Sequence, residues 1–125
     1  MANQIKVDFV GHSYVRRLRR ADRGRNLDMD RRRHVIDFIG ERTDHHGVRR
    51  NISHIRDLSD LSLQYHQMDP AQIVIMEIGT NDLADDYHST HQMADSIVDV
   101  ANNFLAAGTR AVVIAAILPR TAYGP

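Results

Sequence analysis

Residues 73–83 read Ile-Val-Ile-Met-Glu-Ile-Gly-Thr-Asn-Asp-Leu, a nearly unbroken apolar run that breaks abruptly into a polar turn. A short apolar run that ends at glycine is the pattern of a strand buried on both faces, as strands in parallel sheets are. Working outward from Ile73–Ile78, three more stretches have strand character. Ile5–Val10 carries Ile5, Val7 and Phe9 at a spacing of two and ends at Gly11. His34–Ile39 closes at Gly40, and Ala111–Leu118 closes at Pro119.

The segments between these strands have helical spacing or turn composition. A helix starts near Ser13 or Tyr14, where Ser13 can act as its cap; Val15 and Leu18 face inward, and Arg16, Arg17, Arg19 and Arg20 face outward. Residues 22–33 are polar and read as a loop, as do residues 41–50 around Gly47. From Asn51, apolar residues recur at Ile52, Ile55, Leu58, Leu61 and Tyr65, which predicts a helix stopped by Asp69-Pro70. Gly79 to His88 reads as a polar loop. Ser89 and Gln92 form a capping box ahead of a stripe of Ala94, Ile97, Val98, Ala101, Phe104 and Leu105, and Gly108 ends that helix.

The resulting order is β-α-β-α-β-α-β. Strands alternating with helices imply an α/β fold: a three-layer α/β/α arrangement with a parallel sheet and right-handed crossovers. Such sheets bind ligands outside the carboxyl ends of their strands. Gly11-His12-Ser13 follows the first strand, Gly47 lies in the loop after the second, and Gly79-Thr80-Asn81-Asp82 follows the third. All three clusters therefore belong to one edge of the sheet.

Composition narrows the chemistry. The 125 residues suit one compact domain, and a hydrophobic fraction of 42% sets the chain apart from disordered polymers. The absence of cysteine removes disulfides, thiolate metal sites and cysteine nucleophiles. No apolar run approaches the ~20 residues of a membrane span, and residues 1–7 lack the apolar stretch of a signal peptide, so a cytoplasmic protein is expected. Net charge is zero but unevenly spread: residues 1–56 carry 14 Lys and Arg against 7 Asp and Glu, and residues 57–125 carry 2 against 9. The positive charge is concentrated in arginines from Arg16 to Arg33, a segment able to attract phosphate or other anions. His88 and His91 are three apart, but the helix start falls between them and spacing supplies no third ligand. No metal or cofactor is expected.

Ser13, at a strand-to-helix junction, is placed where free amides and the positive end of a helix would stabilise an oxyanion. Asn81, in a tight turn after a buried strand, has an amide able to donate to the same charge. Asp82 reads as a residue that hydrogen-bonds within its own loop.

Taken together, Phe9-Val10-Gly11-His12-Ser13 resembles the first block of the SGNH (GDSL-type) hydrolases, Gly-Asp-Ser with a nucleophilic serine. Gly47 falls where that family has its second-block glycine, and Ile75–Leu83 resembles its third block, Gly-x-Asn-Asp after a hydrophobic strand. The resemblance runs from Ile5 to Pro119 and implies the SGNH, flavodoxin-like topology. It also implies Ser13 as nucleophile, an oxyanion hole from the amides of Ser13 and Gly47 and the side chain of Asn81, and loop support from Gly11, His12, Gly79, Thr80 and Asp82. The activity implied is cleavage of an acyl or acetyl ester of a lipid, carbohydrate or other small molecule through an acyl-enzyme.

Two departures qualify the resemblance. His12 stands where the family has Asp, and is expected to point sideways into its loop. The family takes its base from a C-terminal Asp-x-x-His block, and no histidine follows His91. The chain thus reads as a single incomplete domain, residues 1–125, lacking the C-terminal strand and helix and the base. Asp85-Asp86-Tyr87-His88 spells Asp-x-x-His but sits in the wrong loop for that role. The alternative is a non-catalytic binding module on the same fold, with residues 16–33 meeting an anionic or nucleic-acid partner. A receiver-type domain is a third arrangement, but Gly11-His12-Ser13-Tyr14 supplies neither its acidic residues nor a phosphate loop.

Overall fold

The computed structural model describes residues 4–23, 33–84 and 89–115. The elements run β1 (Ile5–Gly11), α1 (Ser13–Arg23), β2 (His34–Ile39), β3 (Glu41–Thr43), β4 (Arg49–Asn51) and α2 (Ile55–Gln64), followed by a 3-10 turn at Tyr65–Gln67. They continue with β5 (Ile73–Glu77), α3 (Thr80–Ala84), α4 (Thr90–Ala106) and β6 (Ala111–Ile114). Four strands form a parallel sheet in the order β2-β1-β5-β6. The fold is therefore α/β, a parallel sheet flanked by helices, as the sequence pattern predicts.

The strand order places helices on both faces. The chain moves one way from β1 to β2 and the other way from β2 through β5 to β6, so right-handed crossovers put α1 on one face and α2 and α4 on the opposite one. Side chains agree with this placement. Val10, Val74 and Met76 join Ile55, Leu58, Leu61, Tyr65, Ile97, Val100 and Phe104 in the main core. Residues of opposite parity face α1: Phe9 stacks on its register partner Phe38 at 5.1 Å between ring centroids, and Val15 of α1 is fully buried. Each fully buried side chain of this kind contributes about 1.5–3 kcal/mol.

A buried polar pair crosses that core. Tyr65 donates its hydroxyl hydrogen to Asp8 in the middle of β1, and the amide of Ala71 donates to the Tyr65 oxygen at 2.9 Å. Burial pushes the Asp8 carboxyl above its ordinary range against the lowering effect of the Tyr65 bond. Burial, with Asp8 beside it, pushes the Tyr65 hydroxyl up as well.

Several boundaries differ from the sequence expectation. The stretch 41–50, expected as loop, contains the antiparallel hairpin β3–β4. Asp44 builds its turn, accepting from the amides of His46 and Val48 at 2.9 Å each and from Arg50 Nε at 3.0 Å. These bonds, that of Val48 foremost, hold the Asp44 carboxyl down at about 2. The helix expected from Asn51 begins at Ile55, because Asp57 turns back to accept from the amides of Ser53 and His54 at 3.1 Å each. Helix α1 extends through Arg23 and so takes in Asp22 and Arg23, the first two residues expected as loop; residues 24–32 of that segment lie outside the described residues.

Ser89 caps α4 as expected, accepting from the amide of Gln92 at 3.1 Å while Gln92 Oε1 accepts from the amide of Ser89. The buried stripe is rotated, however: Met93 and Val100 are buried beside Ile97, Ala101 and Phe104, while Ala94, Val98 and Leu105 are exposed. Strand β6 is described through Ile114, and residues 116–118 of the expected strand lie outside the described residues. No helix among the described residues is long and apolar enough to cross a membrane.

Candidate functional site

Chain direction reverses between β1 and β5, since β1 leads outward to β2 and β5 leads the other way to β6. In an open α/β sheet the crevice beyond the carboxyl ends of two such strands is the habitual ligand site. Gly11-His12-Ser13 and Gly79-Thr80-Asn81 leave the sheet at these two ends, so the topology brings the two polar clusters together.

Close strand packing requires Gly11. It is the register partner of Glu77, and a Cβ built on it would sit 2.1 Å from the Glu77 carbonyl oxygen and 3.0 Å from Val15 Cγ2. The approach draws β1 against β5 and sets His12 above the end of β5. The side chain of Glu77 shares the pleat side of Gly11 and lies under His12.

His12 does not point sideways into the loop. Its residue is buried, with Nδ1 3.2 Å from Ser13 Oγ and Nε2 3.1 Å from Glu77 Oε2. The Glu77 approach is an ion-pair distance without hydrogen-bond alignment: neither carboxylate oxygen of Glu77, nor Nε2 of His12, has an aligned hydrogen-bond partner among the described residues. The Glu77 side chain is 7% exposed. Serine, imidazole and carboxylate thus form a chain at the mouth of the crevice, with Ser13 half-buried at the first position of α1. The first turn of α1 holds no acidic residue, which leaves the positive end of the helix uncompensated by its own side chains.

The opposite wall is built by α3, absent from the sequence expectation, which read Gly79–His88 as loop. The amide of Leu83 donates to Gly79 O at 2.9 Å and closes this short helix. Two of its polar side chains reach across to the start of α2. Asn81 Nδ2 donates to the Ser53 carbonyl at 2.8 Å, and buried Asp82 accepts from the amide of Ile55 at 3.0 Å. Asp82 therefore anchors the start of α2, a different task from the loop bond expected of it. Thr80 is buried at the head of α3, directly after Gly79.

The start of α2 is the third wall. Ser53 Oγ donates to Asp57 Oδ2 at 3.0 Å and lies 2.9 Å from His54 Nδ1. Arg42 from the hairpin meets Asp57 Oδ1 through Nε at 3.3 Å and Nη2 at 3.1 Å. Burial opposes the charge on Asp57, yet the bonds from Ser53, His54 and Arg42 outweigh it and hold this carboxyl below its ordinary value.

Gly47 is placed differently from the rest. It occupies the hairpin turn at φ 79°, and its amide donates to Asp44 O at 3.0 Å. A Cβ there would meet nothing within 4 Å, so glycine serves the turn's left-handed backbone and no close contact. The bond that Asn81 makes across the crevice is to Ser53.

Arg16 lies over Gly40, where a Cβ would be 2.5 Å from its Cγ, and donates to the carbonyls of Gly40 and Ile52 at 3.1 and 3.5 Å. Arg19 approaches Glu41 at 3.8 Å. A separate cleft of about 460 Å³ beside β2 and the hairpin is lined by Arg19, Phe38, Arg42, Arg49 and Gln64. Asp85-Asp86-Tyr87-His88 lies outside the described residues, and His91 is an exposed partner of Asp95 at 3.6 Å. Among the described residues no three His, Asp or Glu side chains gather as a metal would need.

His12 as a neighbour of Glu77, and Ser53 as a neighbour of Asn81, are absent from the sequence reading. Pairs 65 and 28 residues apart meet through strand register and the reach of α3, and no local spacing announces them. Compared with protein-family models, with curated proteins and with solved structures, the chain matches none.

Proposed function

We propose that this domain is a serine-dependent ester hydrolase of the SGNH type, cleaving acyl or acetyl esters through an acyl-enzyme on Ser13. The observation that carries the reading is the position of Ser13: first residue of α1, half-buried, in the crevice at the β1–β5 reversal, with a ring nitrogen 3.2 Å from its hydroxyl. The first amides of a helix have no intrahelical partner, so a tetrahedral intermediate on Ser13 would develop its negative charge beside free donors. Asn81 supplies a side-chain donor on the facing wall. The Gly47 amide would have to leave its bond to Asp44 to join them, so this reading leans on Ser13 and Asn81 for the oxyanion. The blocks Gly11-His12-Ser13 and Gly79-Thr80-Asn81-Asp82, in that order, support the SGNH assignment within the flavodoxin-like topology.

The test is hydrolysis of p-nitrophenyl acetate and of acetylated sugars by the chain and by Ser13→Ala and Asn81→Ala. Loss of turnover in Ser13→Ala, an acetyl adduct on Ser13 after acid quench, and a kcat lowered about 10²–10³-fold in Asn81→Ala are the expected results. Turnover that survives Ser13→Ala unchanged eliminates the reading.

A second reading, an anion-binding module, is favoured by one observation: Arg19, Arg42 and Arg49 line the same cleft beside β2. Arg42 is held by Asp57 and Arg19 approaches Glu41, so the cleft's charge is partly neutralised from within. Binding of a polyanion that weakens steeply with salt, and weakens further in Arg49→Ala, would support it.

A further inference from the structure

We propose that the general base for Ser13 is His12, its immediate neighbour, and that Glu77 is the carboxylate that orients and charges it. The proposal rests on reading Ser13 as the nucleophile. It assigns the base to the first block itself, at the position where SGNH sequences carry Asp.

One imidazole lies between a hydroxyl and a carboxylate: Ser13 Oγ at 3.2 Å from Nδ1, within reach for proton transfer, and Glu77 Oε2 at 3.1 Å from Nε2, an ion-pair distance without hydrogen-bond alignment. A negative carboxylate 3.1 Å away favours the ring's proton on the nearer nitrogen, so the proposal places it on Nε2, on the Glu77 side. That tautomer leaves the lone pair of Nδ1 toward Ser13 Oγ, where a base needs it. The two ring nitrogens exchange the tasks they have in serine proteases, and the order hydroxyl, ring, carboxylate is kept.

The state of Glu77 is the second, independent observation. Its side chain is more than nine-tenths buried, both its oxygens lack an aligned hydrogen bond among the described residues, and one of them lies against the ring. A buried carboxylate without an aligned donor is unfavourable, and it is relieved by a cation beside it. When His12 accepts the Ser13 proton it becomes that cation. The interaction then strengthens as the reaction proceeds, which is the differential stabilisation catalysis requires.

The proton and bond changes follow. As Ser13 Oγ bonds to the acyl carbon, its proton moves to His12 Nδ1, and the carbonyl becomes an oxyanion. The bond to the leaving alcohol breaks as Nδ1 returns that proton to the alcohol oxygen, leaving an acyl-Ser13 and a neutral ring. Water then attacks the acyl carbon and gives one proton to Nδ1. That proton passes to Ser13 Oγ as the acid departs, so one ester and one water yield one acid and one alcohol. Glu77 keeps the Nε2 proton company throughout and takes no proton itself.

His12 touches the reacting hydroxyl and is a catalytic residue on this proposal, while Glu77 is a positioning residue. The experiment compares the chain with Ser13→Ala, His12→Gln, Glu77→Gln and Glu77→Asp in p-nitrophenyl acetate hydrolysis and in fluorophosphonate labelling of Ser13, with folding checked by circular dichroism. Expected is a kcat loss of about 10³-fold or more in His12→Gln, approaching Ser13→Ala. Glu77→Gln should lower kcat at least about 10²-fold with KM unchanged, and Glu77→Asp should recover part of it. Ser13-dependent turnover that persists within about threefold in folded His12→Gln overturns the proposal and leaves the esterase reading intact. A wild-type chain with neither Ser13-dependent turnover nor Ser13 labelling overturns both. A measurement free of variants stands beside these: imidazole ¹⁵N shifts of wild-type His12 should report the Nε2–H tautomer, and an Nδ1–H tautomer overturns the base assignment.

Discussion

Asp82 accepts a hydrogen bond from the backbone amide of Ile55 at 3.0 Å, joining the turn after β5 to the first residue of α2. The bond crosses 27 residues of sequence and is buried. It satisfies an amide that a helix start leaves without a partner and places a carboxyl group at the positive end of α2. Together with the bond from Asn81 to Ser53 it fixes the crevice's second and third walls to each other.

Replacing Asp82 by Ala should therefore cost about 1–3 kcal/mol, the penalty of leaving a buried donor unsatisfied. Urea denaturation of Asp82→Ala against wild type measures it. If Ser13 chemistry depends on this wall, turnover falls in the same variant although Asp82 never reaches Ser13. A midpoint shift within error would show that Ile55 finds another acceptor.

At Gly11 the expectation is steric. A Cβ 2.1 Å from the Glu77 carbonyl oxygen meets backbone that cannot rotate away, so β1 and β5 would have to part at the site. Gly11→Ala should lose about 3 kcal/mol, at the upper end of overpacking costs. Gly47→Ala, with nothing within 4 Å of the added carbon, should lose only the smaller penalty of its left-handed turn, about 1 kcal/mol. Thermal melts of the two variants should rank in that order, and the reverse ranking would contradict the register of β1 on β5.

Asp8 and Asp57 should pull the pH dependence of stability in opposite directions. Burial raises the Asp8 carboxyl above its ordinary 3.8, so the folded state holds a proton that the unfolded state releases. Its contribution is full below 3.8 and is lost as pH rises through the raised value. The Asp57 carboxyl is lowered from 3.8, so its contribution is present above 3.8 and is lost as pH falls through the folded value. Urea titrations at a series of pH values should show Asp8→Asn gaining on wild type from about pH 4 upward, the direction expected when an unfavourably buried charge is removed. Asp57→Asn should trail wild type above that pH and close the gap in acid. Curves for either variant parallel to wild type throughout would refute the corresponding assignment.

The four parallel strands and the two long helices after β4 were legible because buried elements write their environment into composition. Ile73–Glu77 is apolar because both its faces are covered, and Ser89-Gln92 marks a helix start because the orphan amides there need those side chains. The hairpin at Glu41–Asn51 was illegible for the converse reason. Strand β4 is exposed and β3 only partly buried, both are polar, so no apolar alternation records them, and Asp44 supplies the order through bonds that a sequence pattern does not display. The rotation of the α4 stripe is a matter of phase. Met93, Ile97, Val100 and Phe104 compete with Ala94, Val98 and Leu105 for the same helical period, and only packing against α2 decides between them.

By itself the sequence determined the alternation of strands and helices and the shared sheet edge of Ser13 and Asn81. Tertiary structure alone decided that His12 turns its ring between Ser13 and Glu77 instead of into its loop, that Asn81 meets Ser53, and that Gly47 stays in a hairpin turn. The physical reason is range. Propensity and periodicity are properties of neighbours along the chain, whereas the meeting of His12 with Glu77 depends on which residue of β5 lies beside Gly11, and that is set by the register of two strands more than sixty residues apart.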